Sequence, residues 1–170
     1  MTKHSLFLTA AAAVLLTGCS TLIPDGTSAD IAGTLRGKTA LYSWNAKGHT
    51  IFSCDYDKVG FYWRFLRSEG MLLDNNGSQT ASFGRDGIIR GRDGSMLKTA
   101  ILYVDSMDRP ENLRNALFKT HNPSSHGLFA RVTYVERRNA KGGMPLTRCS
   151  ASQRGKILRV PFDARYIFWH

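Results

Sequence analysis

The sequence predicts an all-β domain, an antiparallel sandwich or barrel of about nine strands with at most one short helix. Three observations carry that expectation. Short runs rich in Val, Ile, Phe, Tyr and Trp recur between turn signals. One segment alternates with a period of two, Val59, Phe61, Trp63 and Phe65 against Gly60, Tyr62, Arg64 and Leu66. Turn chemistry is dense: Asn75-Asn76-Gly77 is a hairpin signal, and Gly-Arg-Asp-Gly occurs at 84–87 and again at 91–94.

Taken in order, residues 40–44 and 49–54 are the first two runs. The alternating stretch carries large side chains on both faces, which predicts a central strand. Residues 71–74 lead into the Asn-Asn-Gly turn and 79–83 return from it. Residues 88–90 form a short strand between the two Gly-Arg-Asp-Gly turns, and 96–104 is a long β-type run. Asp108-Arg109-Pro110-Glu111 reads as a helix start, with Asp as cap and Pro in the first turn, and predicts one or two helical turns over 109–114. A polar loop follows at 121–127. Residues 127–138 read as one long strand with Leu128, Ala130, Val132 and Tyr134 on one face, ending in a Gly-rich turn at 139–145. Residues 157–160 and 164–169 close the chain as two strands parted near Pro161.

The N-terminus is of a different kind. Lys3 and His4 precede an uncharged apolar run at 6–16. As a helix it would reach about 16 Å against roughly 30 Å of hydrocarbon, too short to span but of signal-peptide length. It ends in Leu16-Thr17-Gly18-Cys19, which resembles the bacterial lipoprotein signal. The resemblance implies diacylglyceryl transfer to the Cys19 thiol, cleavage before Cys19 and further acylation (palmitate-type) of the new amino group. The alternative is an ordinary secreted protein with an incidental cysteine. Two or more acyl chains anchor a protein stably where one does not. Ser20, where an Asp tends to retain lipoproteins at the inner membrane, favours the outer membrane. The expected organisation is a signal peptide at 1–18, a flexible tether at 19–38 containing Pro24 and small polar residues, and a single β domain at 39–170.

The formal charge is +10, of which Lys3 leaves with the signal. An excess of that size suits contact with an anionic lipid or polysaccharide, or plain solubility. Arg137, Arg138 and Lys141 form the densest basic cluster, expected at the turn after the long strand. No nucleic-acid-binding motif accompanies it, so specific nucleic-acid binding is not expected. With Cys19 given to lipid, Cys54 and Cys149 remain as an even pair in an oxidising compartment, which predicts a disulfide; two separate buried thiols are the alternative.

A wider pattern resembles the secreted family catalogued as domain of unknown function 3455. It consists of the strand ending in Cys54, the aromatic strand with Trp63 and Phe65, Leu73-Asp74 with Gly77, and Asp93-Gly94-Ser95. The run Gly127-Leu128-Phe129-Ala130-Arg131-Val132-Thr133-Tyr134-Val135 follows, then Gly142-Gly143, Cys149 and Val160-Pro161-Phe162. The resemblance spans about 48–168 and implies a β-rich fold, a cysteine pair at Cys54 and Cys149, and a strand at 116–120. It brings no activity. The family shows His, Gly-Pro and Trp before Asp93, where this chain has Phe83, Asp86-Gly87 and Ile89.

For chemistry the sequence offers little. His121 and His126 share one polar loop, and Asp105 and Asp108 are a candidate carboxylate pair, but turn and cap roles explain them as well. No catalytic, cofactor or metal site is expected, and no dinucleotide fingerprint, P-loop or nucleophile elbow is present. The leading expectation is a non-enzymatic lipoprotein of the cell envelope that binds or scaffolds at the membrane surface. A basic module for an anionic polymer or glycan, and an enzyme with an unrecognised site, are the alternatives.

Overall fold

The computed structural model describes residues 29–105, 109–121 and 123–170. They form one helix, α1 (Ala29–Leu35), and eight strands. The strands are β1 (Ala40–Asp57), β2 (Gly60–Leu73), β3 (Gln79–Phe83), β4 (Ile88–Gly91), β5 (Met96–Val104), β6 (Ala116–His121), β7 (Tyr134–Gly142) and β8 (Ile157–Trp169). Each pairs antiparallel with the next, and β8 returns to β1, so the sheet closes into an up-and-down barrel.

Long strands build one side of it. The runs expected at 40–44 and 49–54 are a single strand, because Gly48 lies directly opposite Gly70 in the β1–β2 ladder. A Cβ on either glycine would strike backbone, at Glu69 O or Lys47 O, and the Phe83 ring occupies the space above both. The sequence spends its side-chain volume there on one aromatic instead of two small residues. β8 likewise runs unbroken through Pro161. The β7–β8 ladder ends at Gly142↔Phe162, so Pro161 sits where one edge of β8 is already free, a position at which a strand tolerates the missing N–H.

The interior is aromatic. Phe129 stacks on Phe168 at 5.5 Å between centroids, and Trp44 meets both rings at 6.3 and 4.8 Å. Leu72, Ile89, Leu97, Val132, Val135 and Phe162 complete the core. Side chains of this size contribute about 1.5–3 kcal/mol each when fully buried.

Several expectations need correction. Residues 127–133 are not strand: Ala130 N–H donates to Gly127 O and Val132 N–H to Phe129 O, folding the segment into turns that push Phe129 into the barrel end. The strand begins at Tyr134 and continues to Gly142, through the stretch expected as a turn. Residues 109–114 are not helical. Asn112 bridges to Gly143 and Leu113 N–H donates to Gly142 O, so the sheet claims a segment that local capping chemistry assigned to helix. Residues 29–35, inside the expected tether, form α1 with Ile31 fully buried. Residues 1–28, with the signal segment and Cys19, lie outside the described residues.

Cys54 and Cys149 are disulfide-bonded, with Cα atoms 5.9 Å apart and a sequence separation of 95. The bond ties the far end of β1 to the 143–156 loop.

Candidate functional site

The barrel's two ends differ. At the end holding the β2–β3 and β4–β5 hairpins, Phe129 closes the interior and Asp93 holds the closure in place. Its carboxylate accepts hydrogen bonds from the Ser95 hydroxyl at 2.6 Å, the Ser95 N–H at 3.1 Å and the Leu128 N–H at 2.7 Å. These donors, the Ser95 hydroxyl foremost, hold the Asp93 carboxyl below the usual range.

At the opposite end the wall is incomplete. β3 and β4 stop early and are joined by a 3-10 turn, Arg85–Gly87. β2 pairs with β3 only from Gly70 onward, and β5 pairs with β4 only through Lys98. The 60–69 stretch of β2 and the 99–104 stretch of β5 therefore each have one edge without a strand partner. This corrects the expectation of a central β2: over 60–69 one edge has no strand partner, and Phe61 packs on Tyr56 and Phe65 on Phe52 across the β1–β2 ladder.

A cavity of about 330 Å³ opens between those two edges. Its wall is mostly apolar, with Leu66 and Phe65 from β2, Phe83 and Ile89 from β3 and β4, Ile101 and Phe118 from β5 and β6, and Val135 and Tyr166 from β7 and β8. Polar groups come from Arg67, Ser68, Asp86, Thr99 and Arg137. Most are committed. Arg67 Nε pairs with Glu69 at 2.9 Å, and the Thr99 hydroxyl donates to Gly87 O at 2.9 Å. Tyr166 stacks on Phe83 at 5.4 Å; burial pushes its phenol up, with the Arg137 guanidinium beside it acting in the other direction. Next to the cavity wall, Thr50 lies opposite Ser68, fully buried, and its hydroxyl has no hydrogen-bond partner among the described residues.

The three cations expected as one patch are not brought together. Arg137 faces the cavity. Arg138 points the other way, is nearly buried and lies 3.5 Å from Glu136, whose carboxylate also accepts from Trp169 Nε1 at 3.1 Å. Burial pushes the Glu136 carboxyl up, against the pull of Arg138 and Trp169. Lys141 follows a register shift and sits opposite Asp163. The alternation of strand β7, which runs on where a turn was expected, separates them. His121 ends β6 near the closed end, His126 Nδ1 lies 3.0 Å from the Ser125 hydroxyl, and Asp105 follows β5 at the open end, so no His–Asp cluster forms from them. Asp108 lies outside the described residues. Phe83, Asp86, Gly87 and Ile89 all line the cavity.

Among the described residues no helix is long and apolar enough to cross a membrane. No protein-family model, no curated protein and no solved structure matches this chain.

Proposed function

We infer that the chain is a lipid-anchored protein of the bacterial cell envelope, held at the outer membrane through Cys19, whose barrel is a non-enzymatic binding module. The observation that carries the binding role is the cavity between β2 and β5. It is concave, aromatic-lined and furnished with few polar groups, at the small end of the roughly 300–1,000 Å³ range of small-molecule sites, and barrel mouths are a common place for such sites. The envelope location rests on the Leu-Thr-Gly-Cys sequence and is consistent with a disulfide between Cys54 and Cys149, which belongs to oxidising compartments. The resemblance to domain of unknown function 3455 adds no activity to this reading.

Two measurements test it. Growth with an alkyne fatty acid should label the wild type and not Cys19→Ser; an unlabelled wild type whose N-terminus is not Cys19 would rule out the anchor. Titration with the apolar fluorophore N-phenyl-1-naphthylamine should show saturable binding at one site per chain. A linear, unsaturable rise would remove the binding role.

A further inference from the structure

Arg137 is the side chain of the cavity whose chemistry the apolar wall does not explain. Its Nε and Nη2 donate to Arg114 O at 3.2 and 2.9 Å, its guanidinium carbon lies 5.6 Å over the Phe118 ring, and the Tyr166 phenol is beside it. A guanidinium has five N–H donors. Arg114 O accounts for two of them, and the Tyr166 phenol is beside the rest. The other arginines on or behind this wall have acidic partners. Arg67 has Glu69, and Arg138, on the opposite face of the same strand, has Glu136. Among the described residues no carboxylate comes within 4.0 Å of Arg137. Asp86, the carboxylate of the cavity wall, is exposed on the 3-10 turn and makes no ion pair with it. A half-buried cation held by one neutral carbonyl and one ring face is under-compensated, and an anion arriving there would be bound by charge-assisted, geometrically matched hydrogen bonds.

We propose that the cavity takes a small amphipathic carboxylate, its head on Arg137 and its apolar body against Phe83, Ile89, Phe118 and Tyr166. The proposal rests on reading the cavity as the ligand seat and adds the ligand's chemical class. The dimensions suit a medium-length aliphatic or small aromatic body, and the open edge between Phe65 and Ile101 provides the way in.

The test is displacement of bound N-phenyl-1-naphthylamine from the full chain by decanoate and, separately, by 1-decanol, which share a tail and differ in the head. Decanoate should displace the probe at concentrations about tenfold lower than decanol, since hydrogen bonds to a charged acceptor are the stronger kind. Arg137→Gln should weaken decanoate far more than decanol, bringing the two to about equal potency. Equal potency of the two in the wild type overturns the carboxylate assignment while the ligand seat stands. Failure of either compound to displace a probe that binds saturably also overturns it, and failure of the probe to bind removes the seat and the proposal together. The wild-type comparison decides the matter even where Arg137→Gln does not fold.

Discussion

The closed and open ends of this barrel use the same eight strands to opposite effect. At the closed end, Phe129 and Phe168 are wholly buried, and Asp93 holds three donors across two loops. At the open end, Phe65 is 54% and Ile101 62% exposed, flanking a cavity where strands β3 and β4 have already ended. The difference follows from strand length. Eighteen residues of β1 and fourteen of β2 outrun the five of β3 and four of β4, so the sheet cannot stay closed along its whole height. A segment of turns, 127–133, fills the closed end.

Substitution at the two ends should separate them. Phe129→Ala is expected to cost about 3–5 kcal/mol in urea unfolding, because it removes the ring on which Trp44 and Phe168 pack. Phe65→Ala, at the mouth, should cost less than about 1 kcal/mol. Comparable losses would mean the open end is structural too. Next in size, replacing Cys54 and Cys149 by Ser should lower stability by about 2–5 kcal/mol, the range for loss of a native bond closing a long loop. Hydrogen exchange should show the added opening in β1 residues 50–57 and the 143–156 loop, not around Phe129.

Two carboxylates give pH dependences of opposite sign. The Asp93 carboxyl is depressed below its ordinary 3.8, so its contribution is present above that value and lost as pH falls through the folded-state pKa. Asp93→Asn should therefore be less stable than wild type near neutrality and converge with it in acid. Glu136 is raised above 4.5 by burial, so its contribution is present below that value and lost as pH rises through the folded-state pKa. Glu136→Gln, which cannot ionise, should gain on the wild type as pH rises above 4.5. A gap between Glu136→Gln and wild type that is flat with pH would contradict the assignment. The smallest effect is expected at Thr50. Thr50→Val removes an unpartnered buried hydroxyl at constant shape, and should leave melting unchanged or raise stability by up to about 1 kcal/mol.

Much of this architecture was legible in the residues. Period-two runs and Asn-Gly and Asp-Gly turns mark β3, β4 and β5 almost to the residue, and the cysteine count marks the disulfide. What was not legible depends on contacts distant in sequence. Residues 127–133 alternate like a strand, yet Asp93, 35 residues earlier, captures the Leu128 N–H and turns the chain inward. Asp108-Arg109-Pro110-Glu111 has the chemistry of a helix start, but pairing of Asn112 with Gly143 overrides it. The cavity was hidden for a related reason. Its wall draws residues from seven strands, and Arg137 belongs in sequence to a cluster of three cations that alternation along β7 separates, Arg137 facing the cavity and Arg138 buried on the other face against Glu136.

The division into a structural and a binding end is tested most directly on strand β5, which reaches both. Ile101 lines the cavity, and Met96, five positions earlier, is exposed at the closed end. N-phenyl-1-naphthylamine affinity should be measured for Ile101→Trp and Met96→Trp against the wild type. The expected result is at least about tenfold weaker binding for Ile101→Trp, whose ring would occupy the mouth, and unchanged binding for Met96→Trp. Equal effects of the two substitutions, or a loss confined to Met96→Trp, would contradict the placement of the ligand seat at the open end.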